Sequence, residues 1–381
     1  MQAHKKYRVG CVFLLLLLCL NRAGVVKAGD RNCVDSGLHL GTSIDSLTHE
    51  LFDALPGGDF YLIGETHNFI ANNDLLLALV KTLQPKGVYN IVNELPHASC
   101  FLFNEYLSTG DERLLAEIRP KASYQVLKDI YAFNQRQPEG KRIKFYGIDY
   151  MDVDDLDNLS LSLKRIGGKL APEPNRLYGV IAAYAARDTI TRDDAVAFNA
   201  VLDRYLNGDS AAYYKQYFGP YYADLALMAS NIVGTKGRSD KTIFNGFLSL
   251  YRYCFSNGEA SPKFLAMYGF GHLKGFGTRL SADKASPVKN KTIIVGLQYY
   301  ECHGDWPWRQ ERRYNDGVAF FFPEKDFDRI RERLYRQPGM QIGVLPNKDK
   351  CISSKAGRPD LDGLIFFKQY GSRRMRSWKF D

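Results

Sequence analysis

The sequence predicts an α/β protein with a parallel-rich central sheet that is flanked by helices and carries a helical insertion or cap. Six short apolar runs are predicted strands, at residues 60–63, 88–92, 143–148, 264–268, 291–297 and 364–367. Segments with the spacing of helices separate the first three runs, and this alternation is typical of a parallel sheet. Hydrophobic residues make up 45% of the chain, which is ample for a large core.

The segment after the first strand has signals for the beginning and the end of a helix. The strand stops at Gly64, and Asn72 or Asn73 can cap the helix that follows. Apolar residues then recur with helical spacing, and Pro85 and Gly87 end the pattern before the next strand. This unit is the first strand–helix–strand step of the predicted sheet.

A long stretch from about residue 153 to 256 has a different character. It is rich in Ala, Leu and Tyr with helical spacing, as at 177–186 and 221–232. The strand pattern resumes at residue 264, so an insertion or cap over the sheet fits better than a separate domain. We therefore expect one α/β domain over residues 29–381.

The first 28 residues have the parts of a cleavable secretory signal. A basic segment at 4–8 precedes an apolar run at 9–20, and Val26, Lys27 and Ala28 form a small-x-small cleavage pattern. An apolar run of about a dozen residues is too short to cross a bilayer as a helix. We expect an exported protein, periplasmic or extracellular, with no stable membrane span after cleavage.

Charge and cysteine content exclude several classes of protein. The formal net charge falls from +9 to +4 without the leader, which holds five Lys and Arg residues and no acid. This balance predicts no nucleic-acid partner, and we expect a small-molecule or peptide substrate instead. No CxxC pair indicates a zinc finger or a redox motif. One or two disulfides, with pairing left open, fit the cysteines outside the leader: Cys33, Cys100, Cys254, Cys302 and Cys351.

Titratable residues follow four of the predicted strands. They are, in chain order, Glu65 and His67, then Glu94, then Asp149, and finally His272. Both histidines end a Gly-x-x-His motif. Because the carboxyl ends of parallel strands share one edge, we expect these side chains in a single crevice, with the two histidines about one substrate's width apart.

This set of residues supports two chemistries. A neutral imidazole can act as a general base that activates water, with a carboxylate orienting it. Alternatively, His67, Glu94 and His272 can hold a divalent metal ion, Mn or Zn, that lowers the pKa of bound water. The sequence lacks the His-Glu-x-x-His helix spacing that marks many zinc enzymes, and both chemistries stay open.

The paired Gly-x-x-His motifs, with Glu94 between them, resemble the superfamily that joins Tiki/TraB-type proteins, erythromycin esterases and ChaN-like haem-binding proteins. The sequence that ends at Asp149 is similar to the Gly-x-Asp strand end of the esterase-like members. Arg238 with Asn245 resembles their helical signature, and residues 360–367 resemble their last strand. The resemblance extends over about residues 60 to 370.

The resemblance implies roles for individual residues. His67 would be the base or a metal ligand, with Glu65 and Glu94 as carboxylate partners and His272 as the second histidine. Arg238 would bind an acidic group or a developing oxyanion; with Asp149 and Asn245 it completes the predicted substrate-binding set. The chain departs from the esterases because only Thr66 separates Glu65 from His67, where those members usually have two residues. Ser239 and Thr242 also stand where those members have an acid and a Met.

Three functions follow from the sequence and the resemblance. The first is an exported hydrolase that activates water at His67 and cleaves an ester or a peptide. The second is a ChaN-like protein that binds haem or iron, and the third is a non-catalytic secreted factor on the same fold. Two Asn-x-Ser/Thr sequences, at Asn158 and Asn290, are glycosylation sites if the host glycosylates secreted proteins.

Overall fold

Nine strands form one mixed sheet in the part of the chain that the structure, a computed structural model, describes. The described residues are 36–119, 124–170, 175–187, 189–232, 238–256, 261–304, 313–317, 324–347 and 360–371. The strands are β1 (His39–Gly41), β2 (Phe60–Glu65), β3 (Val88–Asn93), β4 (Lys144–Gly147), β5 (Lys263–Gly269), β6 (Thr292–His303), β7 (Arg313–Gly317), β8 (Ile342–Pro346) and β9 (Gly363–Lys368). Their order in the sheet is β1-β8-β9-β6-β2-β5-β3-β4, and β7 pairs with β6.

Parallel pairing dominates the sheet and confirms the predicted fold class. Six adjacent strands run parallel to one another, in the order β4, β3, β5, β2, β6 and β9. Antiparallel pairing occurs only on the β6 side of the described sheet, where β8 joins β9, β1 joins β8, and β7 joins β6. The carboxyl ends of β2, β3 and β5 therefore lie at one edge.

Helices cover both faces of this sheet. They are α1 (Ile44–Ala54), α2 (Ile70–Leu83), α3 (His97–Thr109), α4 (Glu112–Glu117), α5 (Gln125–Asn134), α6 (Leu156–Gly167), α7 (Arg176–Ala185), α8 (Arg192–Leu206), α9 (Ala211–Phe218), α10 (Tyr221–Asn231), α11 (Asp240–Leu250), α12 (Thr278–Ala282) and α13 (Glu324–Arg336). Strand β2 shows why two layers form. Its Tyr61 and Ile63 pack with α1 and α2 on one face, whereas Phe60 and Leu62 pack with α11 on the other. A strand buried on both faces is continuously apolar, which is the pattern of a central parallel strand.

The stretch between β4 and β5 contains six α-helices, α6 to α11, among the described residues. Helices α6, α7, α8 and α10 share one apolar cluster with α3, whereas α11 packs against the sheet. This stretch coincides with the helical insertion that we expect at about 153–256. The organisation of residues 29–381 as a single domain stays a prediction.

Several predicted boundaries are wrong. Helix α2 begins at Ile70 after Phe69, and neither Asn72 nor Asn73 caps it, because both lie inside the helix. The third strand is shorter than predicted, and β6 continues to His303. The sequence at 273–280 predicts one regular helix, but the structure has a π-helical turn at Leu273–Gly277 followed by α12.

The expected leader, 1–28, lies outside the described residues. No helix within the described ranges is both long and apolar enough to span a bilayer. Cys100, Cys254 and Cys302 are free thiols, and Cys33 and Cys351 lie outside the described residues.

Candidate functional site

The two Gly-x-x-His turns lie side by side at the carboxyl edge of the sheet. Strands β2 and β5 are paired so that Glu65 is opposite Gly269, and the N–H of Phe270 donates to the carbonyl of Glu65 at 2.7 Å. The N–H of Gly269 donates to Oε2 of Glu94, which directly follows β3, at 2.5 Å. A backbone hydrogen bond thus ties the ends of β2 and β5 together, and the Glu94 carboxylate ties the end of β3 to that of β5.

Glu94 is the centre of the site. Its Oε1 atom lies 3.1 Å from Nε2 of His272 and 3.7 Å from Nε2 of His67. The two imidazoles therefore face one carboxylate oxygen from different turns, and the predicted proximity of the histidines is confirmed. Burial raises the pKa of Glu94, but the hydrogen bonds from His272, His67 and Gly269 outweigh burial and hold it well below its usual range.

His67 lies between two carboxylates. Its Nδ1 atom bonds Oε1 of Glu65 at 2.7 Å, while Nε2 faces Glu94. The interaction with Glu65, followed by that with Glu94, raises the pKa of His67 to about 10. Half of the side chain (51%) is exposed, so solvent screens part of this attraction. The raised pKa still favours the imidazolium at neutral pH.

A buried amide holds Glu65 in position. Asn72, in the first turn of α2, donates through Nδ2 to Oε2 of Glu65 and to the carbonyl of Thr66 at 2.8 Å. The hydroxyl of Tyr299 donates to Oδ1 of Asn72 at 2.5 Å, and Phe69 stacks on the Tyr299 ring with centroids 4.1 Å apart. From inside α2, the Asn72 side chain therefore orients a carboxylate of the site.

His272 has a second carboxylate partner that the sequence analysis missed. Its Nδ1 atom bonds Oδ1 of Asp240, the first residue of α11, at 2.6 Å. Ser239 caps this helix, because its side chain accepts the N–H of Thr242. Burial lowers the pKa of His272, but bonds to Glu94 and Asp240 outweigh burial and raise it. The feature of the sequence that could have pointed to Asp240 is the Arg-Ser-Asp run that ends at this residue.

Arg238 joins Glu94 to Asp149. Its Nη2 atom pairs with Glu94 and lies 2.5 Å from Oδ2 of Asp149, and Nε donates to Oδ1 of Asp149 at 3.3 Å. Burial raises the pKa of Asp149 above its usual value, even though Arg238 opposes this shift. Among the described residues, Nη1 of Arg238 has no hydrogen-bonding partner, so it is the part of the guanidinium that a substrate can engage.

These groups line a cleft of about 650 Å³. Glu65, His67, Glu94, Asp149 and Arg238 all contribute to its wall, as predicted for the two glutamates. The remaining lining residues are Asn68, Phe69, Ile70, Asn72, Asn73, Leu76, Asn93, Leu95, Pro96, Tyr150, Asp152, Asp155 and Met267. His272 lies behind Glu94 and outside this lining. Asn245 is an exposed residue of α11 outside the lining, and its role in substrate binding stays a prediction.

The donor set does not fit a divalent metal ion. A metal at His67, Glu94 and His272 needs oxygen and nitrogen lone pairs that converge on one point. Here the Nε2 atoms of both histidines point at Glu94 itself, and the guanidinium of Arg238 already neutralises that carboxylate. Within the described ranges no group of three or more His, Cys, Asp and Glu side chains has metal-binding geometry.

Comparison with known proteins supports the fold and leaves the chemistry open. No protein-family model matches the chain, and no curated protein matches it. A crystal structure of a protein from Bacillus cereus matches 88% of this chain and 96% of its own, with a TM-score of 0.52 and 14% identity. A crystal structure of a succinoglycan biosynthesis protein matches 89% of this chain and 96% of its own, with a TM-score of 0.57 and 12% identity. At such identities the chain shares the fold of these two proteins, along almost the whole length of each.

Proposed function

We propose that the chain is an exported hydrolase that activates water at His67 without a metal ion and cleaves an ester or a peptide. The observation that carries this proposal is the hydrogen-bonded His67–Glu65 pair in the wall of a large cleft, with Glu94 on the other side of the imidazole. An imidazole oriented by a carboxylate is a common arrangement for general base catalysis. The resemblance to erythromycin esterases supports the same chemistry.

The roles of the neighbouring groups follow from their contacts. Glu65 accepts the Nδ1–H of His67, which leaves Nε2 to take a proton from water once the imidazolium has lost its own. In this mechanism Nη1 of Arg238, which has no hydrogen-bonding partner among the described residues, binds the oxyanion that develops as water attacks a carbonyl carbon. Asp149 holds Arg238 and touches no reacting atom, so it is a positioning residue.

Activity is expected to rise with pH, because the base form of His67 is the deprotonated one and its pKa is raised. A protein in which the imidazolium itself is needed as an acid would instead lose activity as the pH rises through that pKa. The pH profile of kcat/KM for the first substrate found reports which form of the free enzyme is active.

A panel of esters and peptides, assayed with EDTA and with added Mn²⁺, identifies a substrate. On that substrate His67→Ala should lower kcat by roughly 10² to 10⁴, as commonly observed when a general base is lost, and Asp149→Asn should lower it less. His49→Ala, which removes an exposed histidine of α1, is the matched control.

Near-wild-type turnover by His67→Ala would show that this histidine is structural. Activity that EDTA abolishes and Mn²⁺ restores would contradict the metal-free mechanism. Haem binding, which the resemblance to ChaN-like proteins implies, stays a prediction, and a Soret band in the purified protein would support haem binding instead of hydrolysis.

A further inference from the structure

The two Asn-x-Ser/Thr sequences have opposite environments. Asn158, in α6, has no exposed surface. Its Nδ2 atom donates to Oγ of Ser99 at 2.9 Å and to the carbonyl of Arg119 at 2.7 Å, and its Oδ1 accepts the N–H of Arg119 at 2.9 Å. Every polar atom of this amide is used inside the protein, so a sugar on Nδ2 is incompatible with the folded structure.

Asn290 lies in an exposed turn directly before β6. Its backbone has φ of 59°, a left-handed conformation that Asn tolerates better than most residues, and its N–H donates to the carbonyl of Ser281 at 3.1 Å. Its side-chain amide has no hydrogen-bonding partner among the described residues. Thr292 completes the sequence two positions later.

This turn is at the edge of the sheet opposite the cleft. Thr292 pairs with Phe60, the first residue of β2, whereas Glu65 at the other end of the same strand lines the cleft. A large group attached to Asn290 therefore leaves the cleft open to a substrate.

We propose that Asn290 carries an N-linked glycan in the secreted protein. The inference rests on the export predicted from residues 1–28 and is independent of the hydrolase chemistry. The donor is a lipid-linked oligosaccharide diphosphate. A bond forms between Nδ2 of Asn290 and the anomeric carbon of the first sugar, the bond from that carbon to the diphosphate oxygen breaks, and the amide loses one proton. The lipid diphosphate is the leaving group.

The test is secretion of the full chain by a eukaryotic cell through its own leader, followed by intact mass measurement before and after treatment with a peptide N-glycosidase. The wild-type chain and the Ser160→Ala variant should lose one glycan mass on treatment. Asn290→Asp, which keeps a residue that tolerates positive φ, should lose none. Thr292→Ala should also lose none, whereas Thr292→Ser, which retains the hydroxyl that bonds the Val288 carbonyl, should lose the full mass.

The Thr292 variants separate modification from turn structure. Asn290 is favoured in this turn by its conformation alone, but a purely structural role adds no glycan mass to any of the variants. A secreted chain without a glycan, a glycan that survives Asn290→Asp, or a chain that stays unmodified in the cytosol would each overturn the proposal.

Discussion

At the scale of single residues, carboxylates and imidazoles alternate along one continuous set of contacts. In order the set is Asp240, His272, Glu94, His67, Glu65, Asn72 and Tyr299. Each imidazole lies between two carboxylates, so both are stabilised as cations. Glu94 gains the charge-assisted bonds that offset its burial. Asp149, the other buried carboxylate that lines the cleft, is paired with Arg238.

Removal of the Asp240 carboxylate should weaken the cationic form of His272. In Asp240→Asn the amide replaces a full negative charge at 2.6 Å from Nδ1, so the raised pKa of His272 should move back toward 6.5, while the His67 signal changes little. An NMR titration of the imidazole resonances in the variant and in the wild-type protein measures this shift.

The matched control is Asp283→Asn, because Asp283 pairs only loosely with Arg279, at 3.8 Å, just after α12. A His272 titration unchanged by Asp240→Asn, or changed equally by the control, would show that Asp240 has no part in the site.

The sequence predicted the residues whose place is decided by strand ends. Glu65, His67, Glu94 and His272 each lie at the end of a buried apolar strand or shortly after it, and parallel pairing alone brings such positions to one edge. Asp240 is different because it starts a helix, and no local pattern reveals which strand end a helix terminus will approach. Its partner His272 is 32 residues away in the chain.

At the scale of elements, the turn after β5 is shaped to leave room for the His67 ring. A Cβ atom at Gly269 would lie 2.8 Å from Nε2 of His67 and 3.3 Å from Oε2 of Glu94, whereas one at Gly271 would meet nothing within 4 Å. Gly269→Ala should therefore displace the imidazole and lower kcat by roughly 10- to 100-fold, as a 1 Å misplacement can.

Gly271→Ala, two residues later in the same turn, should keep near-wild-type activity. Steady-state kinetics and thermal unfolding of both variants separate displacement of the site from loss of the fold. Equal kinetics for the two variants would contradict the steric argument.

The β4 end is packed so closely that its glycine should be essential for stability. A Cβ at Gly147 would collide with backbone atoms of 95–97, which cannot move aside as a side chain can. Gly147→Ala should destabilise the protein by about 1–3 kcal/mol, the usual cost of overpacking. Gly179→Ala, at an exposed position of α7 with nothing near its Cβ, should instead stabilise by about 0.5–1 kcal/mol. Urea denaturation compares the two, and a similar loss in both would show that the close approach at 147 has no energetic effect.

Element prediction succeeded where burial on both faces imposes a continuous apolar run, as in β2, β5 and β9. It failed for β1, β7 and β8. These three strands pair antiparallel on one side of the sheet, and β1 has only three residues, which is too short for a periodic signal. The start of α2 was predicted too late, because Asn72 lies inside the helix and its amide bonds Glu65, seven residues earlier, instead of capping the helix.

At the scale of the whole molecule, the charged site couples stability to pH. His67 has a raised pKa in the folded protein, about 10 compared with 6.5 for an unperturbed histidine. Its contribution to the free energy of unfolding is therefore complete below pH 6.5 and is lost as the pH rises toward 10. Glu94 has a lowered pKa, so its contribution is present above its ordinary value of 4.5 and is lost in acid. The interactions of this cluster are thus strongest between about pH 5 and 6.5.

Thermal unfolding of the wild-type protein and of His67→Gln across pH 6 to 10 tests this coupling. Tyrosines, lysines and thiols titrate in both proteins, so their effects cancel in the difference between the two melting temperatures. That difference should be largest near pH 6 and should shrink on the order of 2 °C by pH 10, since half of the His67 side chain is exposed and solvent screens its ion pairs. His49→Gln, which removes a histidine with 65% of its side chain exposed, controls for the loss of an imidazole. A difference that stays constant with pH, or that follows the control, would mean that the carboxylates around His67 do not stabilise its cationic form in the folded protein.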